Sequence, residues 1–479
     1  MAQKYYHLIN GEKIGGEDWI ERRNPANTDE VIGLFPKGTA KIAQAAVEAA
    51  ALAQPKWAAI PPPARGEILF RAAELIDSGL QELSELMTRE EGKMLSESRA
   101  EVVRARDIFR FYAAEGRRMS GETLPADKPN SLLFTRREPL GVVSIITPWN
   151  FPMAIPAWKL GPALISGCAV VFKPASLVPL CGLRLVEIFH EAGLPAGVLN
   201  FVTGAGRDVG EELVGNPLVK GISFTGSYII GNHIHHLAAD HMARTQLEMG
   251  GKNPLIVLDD ADLNLAVNLA IAGGFGLTGQ ACTATSRLIV QRGILAEFSH
   301  LLVERAEALK VGNGMEGAQM GPAVDQDQFN IDMEYIQLAQ QEGAKLLSGG
   351  RQIPASKPGF FLTPTIFSDV TPGMRIAQEE IFGPVVGIMD VEDLDQAIEY
   401  ANNAEFGLSA GLVTTNLRSA MIFAERIEAG VVKINQTTGG VAIQAPFGGI
   451  KKSSSNTFRE QGKTAIDFFS RSKSVYLDY

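Results

Sequence analysis

Apolar positions outline this chain before any single residue does. Over residues 41–60 and 64–119 they recur at three- and four-residue intervals, as in ARGEILFRAAELI and ELSELMTREEGKMLSESRAEVVRARDIFRFYAAEG, the spacing of amphipathic helices. After Gly121 the texture changes. Residues 131–137 (SLLFTRR) form a short extended segment, and 140–146 (LGVVSII) is an apolar run of buried-strand length. Strand and helix signals then alternate: strands at 169–173, 198–203 and 219–225, helices at 183–191, 208–214 and 229–239. Such alternation predicts βαβ units and a parallel sheet.

A second alternating series begins near Asn253, with NPLIVLDD, SRLIVQ, KLLSGG, VVGIMDV, SAGLVTT and AGVVKIN as its strands. The expected fold class is α/β, with two tandem α/β domains dividing near 247–252. The last strand signal, 474–477 (SVYL), has no local partner. It is expected to pair with 131–137, with a pairing across a subunit boundary left open.

Composition narrows the class. The chain has 479 residues, enough for two or three domains with large cores. With 44 basic against 54 acidic residues the net charge is −10, which argues against a nucleic-acid partner. Three cysteines, Cys168, Cys181 and Cys282, cannot make a disulfide framework, so a cytoplasmic protein is expected. The N-terminus lacks the apolar core of a signal peptide. Two uncharged stretches are broken by Pro148, Pro152 and Pro156 in one and by Gly273, Gly274, Gly276 and Gly279 in the other, so no membrane association is expected.

Three residues invite a chemical reading beside a bland one. Cys282 lies in GFGLTGQACTATSR, Gly-rich and uncharged up to its final arginine, where flanking backbone and hydroxyl donors suit a nucleophile; a packed small hydrophobe is equally open. Glu248 precedes Met-Gly-Gly and an apolar strand, and is either a buried carboxylate with a purpose or a solvated helix-end glutamate. Asn150, between two prolines in TPWNFP, is either turn chemistry or a rigidly held oxyanion donor. Two strand-to-helix turns suit a phosphate: GAGRDVG (204–210), whose last glycine is one residue late for the dinucleotide fingerprint, and FTGSYIIG (224–231). His233, His235, His236 and His241 read as a solvated helix face, with no expected metal.

The ordered set TPWNFP (147–152), FKPAS (172–176), FTGS (224–227), LEMGGK (247–252), GQACT (279–283), EEIFGP (379–384) and PFGG (446–449) resembles the aldehyde dehydrogenase superfamily across essentially the whole chain. The resemblance implies an NAD(P)-binding domain over 1–120 and 140–247, a catalytic domain over 248–450, and an oligomerisation arm from 121–139 and 467–479. It implies Cys282 as nucleophile, Glu248 as base and Asn150 as oxyanion donor. The cofactor set would be Thr147, Trp149, Lys173, Ser176, Gly206, Gly226, Ser227, Glu380 and Phe382. Of these, Lys173 and Ser176 would lie at the adenosine ribose, Gly226 and Ser227 near the pyrophosphate, Glu380 at the nicotinamide ribose and Phe382 beside the nicotinamide. Phe151, Trp158 and Phe447 would wall the substrate channel.

Within the superfamily the surroundings of these motifs look most like enzymes that oxidise 2,5-dioxopentanoate. Succinic semialdehyde, glyceraldehyde and aliphatic aldehydes remain alternatives, and no arginine stands out as a carboxylate clamp. Two departures bear on substrate more than on chemistry: Ala281 where an Arg often precedes the cysteine, and KKSSSNTFREQG in place of the commoner Ser-Gly-x-Gly-Arg-Glu tail. Ser176, at a position that is often Glu in NAD-preferring relatives, implies that NADP is preferred and that NAD is also used. The resemblance further implies a homodimer or homotetramer. Against this stand a coenzyme-A-acylating relative, which has no need of Glu248; an inactive scaffold; and a cysteine hydrolase, which needs a histidine base that no motif supplies.

Overall fold

The computed structural model describes residues 2–354 and 357–479. Two seven-stranded sheets carry the architecture. The first runs in the order Arg244–Glu248, Val219–Thr225, Val142–Ile146, Ala169–Lys173, Leu199–Phe201, His7–Ile9, Glu12–Ile14. Its first five strands in this order are parallel and almost wholly buried, as expected when helices cover both faces. His7–Ile9 and Glu12–Ile14 add an antiparallel edge. At three residues each they are too short to show periodicity, and the sequence reading did not anticipate them. A hairpin of Trp19–Asn24 and Asn27–Pro36 follows, also unanticipated.

The second sheet runs Lys345–Ser348, Thr365–Ser368, Val385–Val391, Thr285–Gln291, Asn253–Val257, Ser409–Val413, Val431–Ile434. All six expected strands are present. Thr365–Ser368 is an addition, and Lys345–Ser348 pairs antiparallel to it, so this sheet is mixed at one edge.

The expected helix over 41–60 is Ala40–Ala59, and the long stretch from 64 divides into Pro62–Ser78, Leu80–Glu91 and Leu95–Glu115. The helix expected over 208–214 starts instead as a wide π turn, Gly206–Gly210, before one α turn, Glu211–Gly215.

One expectation is corrected in its alternative. The terminal strand, Ser470–Asp478, pairs antiparallel with Ser131–Pro139 of the same chain over its whole length, and Thr123–Leu124 extends the ribbon. The pairing needs no second subunit, because Leu140 N–H donates to Phe469 O and closes the register at the base.

Register places the chemistry. In the first sheet Ile146 lies opposite Lys173 and Phe224, and Thr225 opposite Glu248. Thr147, Lys173, Thr225 and Glu248 therefore line the carboxyl ends of adjacent strands, where open α/β sheets hold ligands. Residues 249–252 cross from this edge to Asn253, the first residue of the second sheet's Asn253–Val257.

Candidate active site

Cys282 sits in the loop between the helix Leu263–Phe275 and the strand Thr285–Gln291. Leu277 (φ 53°), Thr278 (φ 58°) and Gly279 (φ 68°) hold left-handed conformations there, a strain that side chains only retain when fixed from outside. Glu97 Oε1 accepts from Leu277 N–H at 2.8 Å, and Gln280 Oε1 accepts from Val324 N–H at 2.9 Å. A Cβ on Gly279 would stand 2.2 Å from Gly383 O, so only glycine fits that approach. Asn253 Nδ2 donates to both Cys282 O and Ala284 O at 2.8 Å. The thiol is pushed up to about 12 by burial and by the charges of Glu380, Glu248 and Glu460. It rests protonated.

Asn150 is buried, and its Nδ2 donates to Gln280 O at 3.0 Å, which ties it to the cysteine loop. Its second amide N–H has no acceptor among the described residues. Its backbone carbonyl accepts from Lys93 Nζ at 2.6 Å, and Lys93 also donates to Glu101 Oε2 at 2.7 Å. Glu101 Oε1 in turn receives the N–H groups of Met153 and Ala154 at 2.8 and 3.0 Å. The first turns of one helix, Leu95–Glu115, thus hold both the cysteine loop, through Glu97, and the Asn150 turn, through Glu101.

Glu248 is 1% exposed. Its Oε2 accepts from Gly449 N–H at 3.1 Å and its Oε1 from Ser454 Oγ at 3.0 Å. Burial, then the nearby Glu460, lift its carboxyl well above the usual range, against the pull of those hydrogen bonds and of Arg459. Glu460 is itself buried and raised by burial, offset by Lys159, whose ammonium donates to Glu460 Oε1 and, at 2.9 Å, to Ser223 Oγ. Sequence reasoning missed Glu460, Lys159, Lys93, Glu101 and Asn253. For Lys159 alone a signal was present: it is the only charge in AIPAWKLGPALIS.

The positions singled out for a cofactor gather at the strand ends. Thr147 Oγ1 and Thr225 Oγ1 are buried without a hydrogen-bond partner, a state that a ligand's polar groups would relieve. Lys173 is buried, lowered to about 8 by desolvation, and its ammonium reaches only Pro174 O at 3.4 Å. Ser176 Oγ donates to Gly204 O at 3.3 Å, two residues before the exposed Gly206. Ser227 precedes the helix Tyr228–Ala239, and Gly226 N–H is already taken by Glu248 O. Glu380 Oε1 accepts from Gly251 N–H at 2.9 Å, and its carboxyl is pushed up to about 7 by burial. Phe382 meets Trp149 edge-to-face at 5.3 Å. Unpartnered hydroxyls, a lone cation and a carboxylate on a glycine turn form a donor set that fits a dinucleotide.

Of the three residues expected to wall a substrate channel, two are in direct contact. Trp158 and Phe447 pack at 5.7 Å, and the half-buried Phe151 and Cys282 lie against the same apolar cluster with Val431, Val441, Ile443 and Phe458.

The chain matches the family model described as "Aldehyde dehydrogenase family" over residues 12–475. It is 46% identical to the 2,5-dioxopentanoate dehydrogenase of Saccharolobus solfataricus over 97% of both chains. It is 46% identical to the alpha-ketoglutarate semialdehyde dehydrogenase of Haloferax volcanii over 100% of both. Among solved structures, a Staphylococcus aureus betaine aldehyde dehydrogenase in complex with NAD+ superposes with a TM-score of 0.96 at 35% identity, covering 99% of this chain and 95% of that one. An E. coli NADP dependent enzyme superposes at 0.95 with 38% identity, covering 100% and 98%.

Proposed function

The chain belongs to the aldehyde dehydrogenase family, and from that membership we propose that it oxidises 2,5-dioxopentanoate to 2-oxoglutarate with NADP in preference to NAD. The observation that carries the chemistry is the convergence on one seam of a loop cysteine, an amide donor tied to that loop and a buried, raised carboxylate. The substrate follows the names of the two relatives.

In this reading Cys282, deprotonated on the way to attack, adds to the aldehyde carbon. The oxyanion is met by the second N–H of Asn150 and a backbone N–H of the cysteine loop; one such donor is typically worth about 10²–10³ in rate. Thr147, Trp149, Lys173, Ser176, Gly206, Gly226, Ser227, Glu380 and Phe382 would hold NADP, which when bound would supply the hydride acceptor needed to reach the thioester. Glu248 then takes a proton from water. A carboxyl lifted toward neutrality is a stronger base than an ordinary one, and burial beside Glu460 provides that lift. Phe151, Trp158 and Phe447 exclude bulk water from the thioester.

We assign residues 1–120 and 140–247 to the cofactor domain, 248–450 to the catalytic domain, and 121–139 with 467–479 to an oligomerisation arm. Exposed Ile229, Ile230 and Met242, on and just beyond the helix Tyr228–Ala239, favour a homodimer or homotetramer. Among the described residues no helix is long and apolar enough to cross a membrane. Three cysteines without a disulfide favour the cytoplasm.

The test is turnover of 2,5-dioxopentanoate, succinic semialdehyde, glyceraldehyde and pentanal with each cofactor, in the wild type and in Cys282→Ala. The expected outcome is highest kcat/KM for 2,5-dioxopentanoate and none in the variant. Residual turnover in Cys282→Ala would overturn the nucleophile, and a different leading substrate would overturn the specificity.

A further inference from the structure

We propose that Arg104 and Lys433, with the side-chain amide of Gln461, form a carboxylate-binding site at the mouth of the aldehyde channel. The proposal rests on the reading of Cys282 as the aldehyde-oxidising nucleophile and adds to it the group that selects an acid-bearing aldehyde.

Arg104 is half-buried on the helix Leu95–Glu115, three residues after Glu101 and so on nearly the same face. Glu101 holds the amides just beyond Phe151, which puts Arg104 beside the channel wall. Its guanidinium donates to Gln461 Oε1 at 3.0 Å. The neighbouring backbone is tied to the channel too: Gly462 N–H donates to Ile443 O at 3.0 Å, and Phe447 and Glu460 exchange backbone hydrogen bonds at 2.7 Å. Lys433, in the strand Val431–Ile434, reaches the same loop by donating to Gly440 O.

Among the described residues neither cation makes an ion pair. The nearby Glu101 is already committed to Lys93 and to two amides. Two like charges drawn together in a protein of net charge −10 cost free energy unless an anion joins them. Burial, then the charge of Arg104, hold Lys433 below its usual range.

Gln461 supplies the independent observation. It is 1% exposed, its Nε2 has no partner among the described residues, and its backbone holds φ 61°, a conformation a glutamine adopts only when its surroundings impose it. Because Oε1 is fixed by Arg104, Nε2 lies within one amide's width of the guanidinium. A planar fork, an ammonium and a spare N–H pair make a donor set suited to a carboxylate, and an isolated amide or hydroxyl would leave the two charges unmet.

The experiment compares kcat/KM for 2,5-dioxopentanoate with that for pentanal, a neutral aldehyde of the same carbon count, in the wild type, Arg104→Met, Arg104→Lys and Lys433→Met. It adds glutarate as a competitor of pentanal. The expected result is a fall of roughly 10- to 100-fold in the acid-to-neutral ratio for Arg104→Met, through KM, with partial retention in Arg104→Lys. Competition by glutarate should weaken in parallel. A ratio that stays within about threefold of the wild type in both methionine variants overturns the site. Should Arg104→Met fail to fold, Lys433→Met and glutarate competition decide alone: competition in the wild type that weakens in the variant supports the site, and its absence in the wild type overturns it. A wild type that oxidises pentanal but no acid-bearing aldehyde also overturns the site while leaving Cys282 chemistry standing. A wild type that oxidises no aldehyde at all refutes the underlying reading instead.

Discussion

Replacing Lys159 by methionine should produce a destabilisation that grows with pH. Lys159 and Glu460 are 0% and 1% exposed and form an ion pair, and Lys159 also donates to Ser223 Oγ. Methionine keeps most of the apolar stem and removes the charge. Breaking a buried pair from one side costs about 3–5 kcal/mol, because the remaining carboxylate is left uncompensated. Glu460 escapes part of that cost by taking a proton. Burial already raises its carboxyl, and loss of Lys159 raises it further. A group whose folded pKa lies above its unfolded value, here about 4.3, gives stability that is complete below the unfolded value. That stability is lost as pH climbs through the folded value. Near pH 5 the deficit relative to wild type should therefore be only the lost hydrogen bonds, about 1 kcal/mol, and by pH 8.5 it should approach the full 3–5 kcal/mol. Urea unfolding of both proteins at pH 5.5, 7.0 and 8.5 reads this directly. The same variant should shift the acid limb of thioester hydrolysis to lower pH, since a neutral Glu460 no longer raises Glu248. A deficit equal at all three pH values would refute the reasoning.

Glu248→Gln should keep a burst of reduced cofactor in stopped flow and lose the steady state, because the carboxylate acts on the thioester; loss of the burst as well would make it the activator of the thiol. Gly448→Ala should slow hydrolysis at least 10-fold with the burst retained, since a Cβ there would stand 2.5 Å from Glu248 Oε1 and displace the base. Ser176→Glu should lower kcat/KM for NADP relative to NAD by roughly 10-fold or more, as a carboxylate at the ribose repels the extra phosphate, whose charge is near −2. An unmoved ratio would detach Ser176 from the cofactor.

The parts of the site that were legible in the sequence are those carried on unusual local composition. GFGLTGQACTATS and TPWNFP are uncharged and rich in Gly or Pro, which no ordinary helix or strand requires. Glu97 and Glu101 were hidden because charges at three- and four-residue spacing are what a solvated helix face also shows. Only the tertiary fold turns that face inward onto Leu277, Met153 and Ala154. Glu460 and Lys159 lie about 300 residues apart, so no local pattern joins them. The serine run in KKSSSNTFREQG reads in sequence as a departure from the family tail. In the structure Ser453 Oγ donates to Gly250 O and Ser454 Oγ to Glu248 Oε1, which makes that departure part of the surroundings of Glu248.

The pairing of Ser470–Asp478 with Ser131–Pro139 also sets a clock on synthesis. Its outermost residues, Ser131 and Asp478, lie 347 positions apart, and at about 5–20 residues per second the inner strand waits roughly 20–70 s on the ribosome for its partner. During that interval Ser131–Pro139 presents a nine-residue edge with only Thr123–Leu124 beside it. Any chain that stops short of Ser470–Asp478 keeps that edge open for good. Completion of the ribbon is therefore a record that translation passed Asp478, and a chain truncated before Ser470 is left with the exposed backbone that aggregation and proteolysis act on.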